Sequence, residues 1–362
     1  MISLVPPGVS SPENLPQAAS PPIVVAPATD AAEWDAFVAQ HPGGTVDHLW
    51  AWREVIASAL GHESTYLEAR RGGALVGVLP LVRVRSRLFG RSVVSMPFLN
   101  YGGILADDAD VVGALVDAAR DVGAGFGAGH VELRHTSRLC PSVPCRRHKL
   151  SMTLALPADA ELLWTMLDRK VRNQVRKAQK ANLEVVSGGR ELVDEFYAVF
   201  SRNMRDLGTP VYPKALFRDT LDRFADRARI FVIRHQTVPV AAGVGIGFRQ
   251  VVINPWASSL REFRQLCPNM LLYWSMLEWA VARGATTFDF GRSSPGGGTH
   301  QFKLQWGAVE QPLCWEYVLL SRSEPPDQGP SNSKFARAIA VWQRLPLGIA
   351  NLIGPIVARS LP

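Results

Sequence analysis

The stretch RIFVIRHQTVPVAAGVGIGFRQVVINPWASS, Arg229 to Ser259, decides the fold. Three apolar, β-branched runs separated by short polar breaks predict a three-stranded antiparallel meander. A second meander lies upstream: TYLEAR, a turn at Arg71-Gly72-Gly73, ALVGVLPLVRVR with visible alternation, and SVVSMPFLNYGG. Each meander is followed by a helical pattern, about Asp108 to Val122 and Pro268 to Arg283, and then by a short strand, HVELRHT or TTFDF. Each is preceded by a strand and two helices. In the first half these are IVVAP, a helix capped by Asp30, and a helix over about Leu49 to Leu60. In the second they are LEVVSG and helices near Glu191 to Leu207 and Pro213 to Phe224. The order repeats although the residues do not. The expected fold is α/β, of the α+β kind: two tandem domains, each a mixed, mostly antiparallel sheet flanked by helices.

A chain of 362 residues is long for one core, which also favours two domains. The expected boundaries are a Pro- and Ser-rich disordered leader at 1–22, domains at 23–150 and 151–320, a polar linker at 321–332 and a C-terminal helical segment at 333–362. In the second domain SMTLAL is the opening strand, Asp159 caps one long helix to about Ala181, and WEYVLL closes the sheet.

The net charge of +7 and pI of about 9.5 favour an anionic partner without choosing among phosphorylated substrate, RNA and acidic membrane. Cys140, Cys145, Cys267 and Cys314 fit no zinc-knuckle spacing and read as reduced thiols of a cytoplasmic protein. The histidines show no metal-ligand spacing, so no metal is expected. The N-terminal stretch lacks a basic n-region and an unbroken apolar core, and LPLGIANLIGPIVA is too short and too rich in Pro and Gly to span a bilayer. There is no P-loop and no nucleophile elbow, and the loose GxGxxA at Gly123 to Ala128 follows a helix rather than a strand.

Two stretches carry candidate chemistry. Trp164, Leu167, Val171, Val175 and Ala178 recur at helical spacing as a buried stripe, and Arg169, Arg172, Arg176 and Lys180 form a basic edge beside it. Arg172 and Arg176, one turn apart, suit a phosphate or carboxylate, although such a row is more often a solvated face. The second is DFGRSSPGGGTHQFKLQWG, Asp289 to Gly307. An acid ending a buried strand sits where α/β sheets place ligands. The glycines at 296–298 allow close backbone approach or loop movement. Lys303, between Phe302 and Trp306 as apolar walls, suits a developing oxyanion. His300 is a lone histidine beside the glycine run.

Together, RKVRNQVRKAQKANLEV, LGTPVYPKALF, LCPNMLLYWSMLEWA and FDFGRSSPGGGTHQFKLQWG resemble the FemAB-like acyltransferases. With HLWAWREVIASALGHESTYLEAR, MPFLNYGG and the tail WQRLPLGIANLIGPIVARSLP they look like the branch associated with exosortase (PEP-CTERM) and exopolysaccharide loci. The resemblance implies two GNAT-like domains and direct transfer of an activated acyl or aminoacyl group to an amine or hydroxyl of an envelope precursor, exopolysaccharide or peptidoglycan. It implies no tightly bound cofactor. The acyl donor is anionic, aminoacyl-tRNA or an acyl-CoA or acyl carrier, and the acceptor is phosphorylated or a saccharide; DNA is not an expected partner. Two alternatives stand beside this: an acyl-CoA- or acyl-carrier-dependent N-acyltransferase with a small or lipid acceptor, and a non-catalytic polysaccharide-assembly or membrane adaptor on a GNAT scaffold. Lys303 would meet the oxyanion, and Asp289 would orient or deprotonate the nucleophile or brace Arg292. Arg172, Arg176 and Arg292 would hold phosphates, with Phe302, Trp306, Tyr212 and Trp256 lining the cleft. The expected location is cytoplasmic, with peripheral contact to the inner membrane face through 333–362, where Phe335, Ile339, Trp342, Leu345 and Ile349 accompany Lys334, Arg337 and Arg344. Packing of this segment against the domains is the competing expectation.

Overall fold

The computed structural model describes residues 21–86, 89–326 and 336–361. Most of the expected leader, part of the linker, and Lys334 and Phe335 lie outside the described residues. The first half runs β1 (Ile23–Pro27), α1 (Ala31–Gln40), α2 (Ala51–Leu60), β2 (Ser64–Arg71), β3 (Ala74–Ser86) and β4 (Gly90–Val94). It continues with β5 (Leu105–Ala106), α3 (Ala109–Phe126), β6 (His130–His135) and β7 (Cys145–Arg146). The second half opens with β8 (Leu150–Ala155), α4 (Ala160–Met166), α5 (Arg169–Lys180), β9 (Leu183–Gly188), α6 (Val193–Leu207) and α7 (Lys214–Phe224). Then come β10 (Ala228–His235), β11 (Val238–Phe248), β12 (Val251–Ser259), α8 (Pro268–Ala282), β13 (Thr287–Asp289) and α9 (Gly298–Gln305). The chain ends with β14 (Val309–Pro312), β15 (Cys314–Leu319), α10 (Ala336–Gln343) and α11 (Leu347–Ala358).

Two mixed sheets result. The first has the order β1-β2-β3-β4-β6-β15-β7, with β5 beside β3, and the second β14-β8-β13-β12-β11-β10-β9. Each contains one parallel pair, β4–β6 and β12–β13, and in both cases a single helix, α3 or α8, makes the crossover. The repeated order read from sequence is thus a repeated topology. Both meanders pair antiparallel, β2–β3–β4 and β10–β11–β12, and Asp30 caps α1 by accepting from the backbone N–H groups of Ala32 and Glu33.

Four expectations are corrected. The strand after the first meander ends at Val94, because Met96 and Phe98 take positive φ values of 52° and 72°, which no strand accommodates. The long helix capped by Asp159 is two helices: Asp168 accepts from Lys170 N–H and restarts the chain as α5. The strand containing WEYVL does not close the second sheet. It returns to the first, between β6 and β7, while β14 pairs with β8. Glu316 accounts for that choice. Its carboxylate is fully buried and accepts from His135 Nδ1 (2.6 Å), Leu139 N–H (3.0 Å) and Cys140 N–H (2.9 Å), all in the first domain. Finally, Cys145 and Cys314 are not free thiols but a disulfide joining β7 to β15; Cys140 and Cys267 remain free.

Each half has its own core, under α3 in the first and around α5 and α8 in the second, and a third core is common to both. In the shared core Trp52 packs on Phe224 (4.7 Å between ring centroids) and Trp256 (6.4 Å), and Trp256 packs edge-on against Phe217 (5.0 Å). Large apolar area buried across the seam couples the halves. The chain should therefore unfold in one cooperative transition, and Trp256→Ala should cost about 3–5 kcal/mol within that same transition. Calorimetry with tryptophan and far-UV probes would show it; two resolved transitions would contradict a shared core.

Candidate active site

The turn after β13 organises the site. Asp289, the last residue of β13, lies opposite Ile253 of β12 and Thr153 of β8. Its Oδ1 accepts from the N–H of Gly291 at 2.7 Å. Gly291 has φ of 72°, and a Cβ there would sit 3.1 Å from Asn100 Nδ2 and from the carbonyl oxygen of Asn254. Glycine is favoured by the backbone conformation, and the tight surroundings add to that preference. Ser293 then exchanges both backbone hydrogen bonds with Leu150 at the start of β8.

This geometry turns two carbonyls toward Lys303 on α9. Its Nζ donates to Gly291 O at 2.9 Å and Arg292 O at 3.0 Å. The side chain is 6% exposed, so it is not a solvated surface lysine. Burial pushes its pKa down to about 8, opposed by the Asp289 carboxylate and reinforced by Arg292. At neutral pH it is an ammonium, with three N–H groups of which the carbonyls take two. His300 accepts from Gly296 N–H and pairs with Glu310 at 2.6 Å, which pins the glycine run to β14.

The first domain supplies the other wall. Tyr101 OH donates to Asp289 Oδ2 at 2.7 Å and lies 2.7 Å from Ser151 Oγ. Asp47 fixes that loop by accepting from the N–H groups of Asn100 and Tyr101, and burial pushes its pKa up to about 7. Arg292 reaches back across the seam to donate to Leu99 O at 3.1 Å. Arg134, 1% exposed, donates to Glu132 (2.8 Å) and to Leu99 O (3.1 Å). Both guanidinium groups approach the Trp315 ring, Arg134 Cζ at 4.3 Å and Arg292 Cζ at 5.3 Å from its centroid. Lys149 Nζ donates to Ser294 Oγ at 2.8 Å; burial, with Arg292 and Arg134, pushes its pKa down to about 8. Burial likewise takes His148 down to about 4, so it is neutral at pH 7.

Lys303, Arg292, Lys149 and Arg134 thus converge on one seam, where only Arg134 has a carboxylate within salt-bridge distance among the described residues. The buried Ser293 Oγ and Trp315 Nε1 there have no hydrogen-bond partner. Such an arrangement can hold an anionic group and stabilise a negative oxygen as it develops.

The sequence-derived residues divide. Asp289, Arg292, Lys303 and Tyr212 come together. Tyr212 packs edge-on to Phe98 (5.9 Å), and the charges of Arg292 and Arg134 oppose the rise in its pKa caused by burial. Phe302 is half-buried, with its ring 4.9 Å from Tyr273. Trp306 and Trp256 are core residues, 1% and 5% exposed, Trp306 in the core around α5 and α8 and Trp256 in the core shared by both halves. Arg172 and Arg176 do not join the site. Arg176 is exposed on α5 with its guanidinium 5.3 Å from the Trp164 ring, whereas Arg172 is half-buried with its Nε enclosed and unpartnered, and no hydrogen bond, ion pair or ring contact among the described residues links either to Lys303. Helical spacing made them neighbours of one another, but it carried no information about which face α5 turns to the seam.

Asp47, Tyr101, Arg134, Lys149 and Trp315 were missed. One signal was available: in HVELRH the charged Glu132 and Arg134 occupy a strand that is buried throughout, where charges occur only when paired or functional. His135, Cys140 and Glu316 place donor atoms within 4.8 Å of one another, but both Glu316 oxygens already accept hydrogen bonds, so the trio reads as a structural knot.

Two mixed sheets, each with a meander and one helical crossover to a parallel neighbour, define a tandem GNAT-like architecture. Residues 168–304 match the family described as an acetyltransferase (GNAT) domain, a range that includes Asp289, Arg292 and Lys303. No curated protein matches the sequence. The fold is similar to that of FemX (TM-score 0.64, 16% identity, covering 82% of this chain and 98% of that one). It also resembles L-PGS from Bacillus licheniformis (TM-score 0.53, 12% identity, 87% and 96% covered). A tandem GNAT protein from the clavulanic acid biosynthesis pathway is a third likeness (TM-score 0.51, 11% identity, 84% and 100% covered).

Gly291→Ala should lower stability by about 1–2 kcal/mol, chiefly from the strained φ, with the tight contacts to Asn100 and Asn254 adding to it. A urea midpoint equal to that of the unaltered chain would refute this account of the turn.

Proposed function

We propose that the chain is an acyltransferase that moves an activated acyl or aminoacyl group to an amine or hydroxyl of a cell-envelope precursor, an exopolysaccharide or peptidoglycan component. The observation that carries this reading is the buried Lys303 ammonium, held by two carbonyls of the turn that ends the parallel pair β12–β13. The acceptor attacks the acyl carbon directly. The carbonyl oxygen gains negative charge as the tetrahedral intermediate forms, and the remaining N–H of Lys303 meets it. The bond to the leaving oxygen or sulfur then breaks, and the proton of the nucleophile leaves with the departing group or to solvent. No residue is acylated. Positioning and charge stabilisation supply the rate enhancement.

Asp289 serves here as a positioning residue, since its oxygens already accept from Tyr101 and Gly291. Arg292, Lys149 and Arg134 favour a phosphorylated or carboxylated substrate, which agrees with the basic pI. The resemblance of the sequence motifs to FemAB-like acyltransferases favours an envelope precursor as acceptor and aminoacyl-tRNA as donor, on a fold similar to that of FemX. The acetyltransferase family match over 168–304 supports the second reading, an acyl-CoA or acyl-carrier donor. Transfer from charged tRNA that RNase abolishes, with CoA thioesters inert, would select the first; the reverse would select the second.

Lys303→Ala should lower single-turnover transfer by about 10²–10³-fold, as loss of one oxyanion donor does. The sign of the pH dependence follows from the depressed pKa: the ammonium persists below about 8 and is lost as pH rises through it. Transfer should fall on that basic limb, and Lys303→Arg, which does not titrate there, should lose the limb while retaining part of the rate. A Lys303→Ala enzyme of undiminished rate, or a limb unchanged in Lys303→Arg, would rule out this role.

A further inference from the structure

A second region, far from Lys303 in the chain, has features that the transfer reaction leaves unused. A cavity of about 940 Å³ opens between β3–β4 and the C-terminal end of α11. Arg83, Arg85, Arg91 and Arg359 line it, together with Phe126 and Ile356. The Cζ atoms of Arg83, Arg85 and Arg91 lie 5.8, 5.2 and 5.8 Å from the centroid of the one Phe126 ring. Glu63, the carboxylate in the lining, is bonded to Arg83 at 3.2 Å. His62, which holds the end of α11 by a 2.7 Å contact with Arg359 O, has its pKa lowered by burial and adds no fixed charge. Crowding guanidinium groups around one aromatic ring is repulsive unless an anion neutralises them.

α11 forms one wall of this cavity, and its polarity is the reverse of an ordinary surface helix. Ala350, Gly354 and Ala358 face inward, and Gly354 sits so tightly on Val211 that a Cβ would lie 3.0–3.2 Å from it. The large apolar side chains face out: Ile349 is 47% exposed, Leu352 73% and Ile356 58%. Val341 of α10 is 63% exposed as well. The described part of this segment, residues 336–361, contains Arg337, Arg344 and Arg359 and no acidic residue. A globular protein gains nothing from presenting large aliphatic side chains to water on a helix whose small ones are buried. Ile356 belongs both to the cavity lining and to the outward apolar row, so the cationic and apolar surfaces are continuous.

We propose that this face docks on an anionic phospholipid leaflet, with a lipid phosphate in the arginine-lined cavity and the outer row of α11 in the interfacial layer. Cations beside an exposed apolar helix face match the layered chemistry of such a surface, phosphate outside and acyl chain inside. A soluble phosphate would use the arginines and leave Leu352 and Ile349 in water. Among the described residues no helix is long and apolar enough to cross a membrane, so contact through this face would be peripheral.

The test is flotation of the full chain with vesicles of phosphatidylglycerol in phosphatidylcholine, and with phosphatidylcholine alone. The expected result is binding to the first and not the second, weakening as salt is raised. Arg85→Ser and Arg359→Ser should each lower the partition coefficient about fivefold. Leu352→Asp combined with Ile356→Asp should abolish flotation. All four side chains are exposed or line the cavity, so thermal melts of the variants should match the parent and confirm the fold. Failure to float with phosphatidylglycerol, or arginine variants that bind like the parent, overturns the proposal. So does binding that needs the arginines but ignores Leu352 and Ile356, which would mark a soluble phosphate ligand. The assay reads partition rather than transfer, so its outcome is independent of the acyltransferase reading.

Discussion

The carboxylate of Asp289 joins the two halves of the molecule at the point where the chemistry is expected. One oxygen accepts from Tyr101 of the first domain, the other from Gly291 in its own turn. Burial works against its charge, so the group persists there only because both oxygens are satisfied and Lys303 lies nearby. Everything downstream follows from that constraint. The bond to Gly291 holds a left-handed residue in place, the turn presents two carbonyls, and the carbonyls aim the ammonium of Lys303. A domain with no catalytic candidate of its own thereby sets the geometry of the residue that has one.

The seam is costly in electrostatic terms. Arg134 and Lys303, buried, and Lys149 and Arg292, half-buried, crowd together, and burial lowers the pKa of both lysines toward 8. Neutral partners carry most of the compensation: backbone carbonyls of Met96, Leu99, Gly291 and Arg292, and the face of Trp315. These are fixed dipoles rather than counter-ions, and they leave net positive potential available to a substrate. A site that trades stability for preorganised charge is what transfer through an oxyanion requires. The shared aromatic core around Trp52 and Trp256 offsets that cost by burying apolar area across the same seam.

The same economy appears at the other end of the chain. α10 and α11 pack on α6 and around Val211 through small residues, so that the packing expectation for the C-terminal segment holds for its inner face while large aliphatic groups are left outside. Ile339 fills the space over Gly208, where a Cβ would lie 2.5 Å from its Cγ2. The likeness to FemX over 98% of that chain concerns the fold; the reading of activity rests on Lys303 and its surroundings.

The repeated order of strands and helices was legible in the sequence because it is written locally. β-branched runs, polar breaks, caps such as Asp30 and glycine-marked turns depend on residues a few positions apart, and the meander at 229–259 needed nothing else. The stretch 289–307 was legible for a related reason: an acid ending a strand, a run of glycines, and a lysine between aromatic residues are chemistry in one short run, while the constraint on Gly291 appeared only in the fold. What sequence could not decide was which surfaces meet. Glu316 draws β15 into the first sheet because its hydrogen-bond donors are folded there, residues 135–140, far away in the chain. Tyr101, Arg134, Lys149 and Trp315 reach the seam for the same reason, while Arg172 and Arg176, adjacent on their helix, do not. Helical and strand periodicity specify faces of single elements; the identity of the partner face depends on burial and charge satisfaction over the whole chain, which exists only once the two sheets have packed.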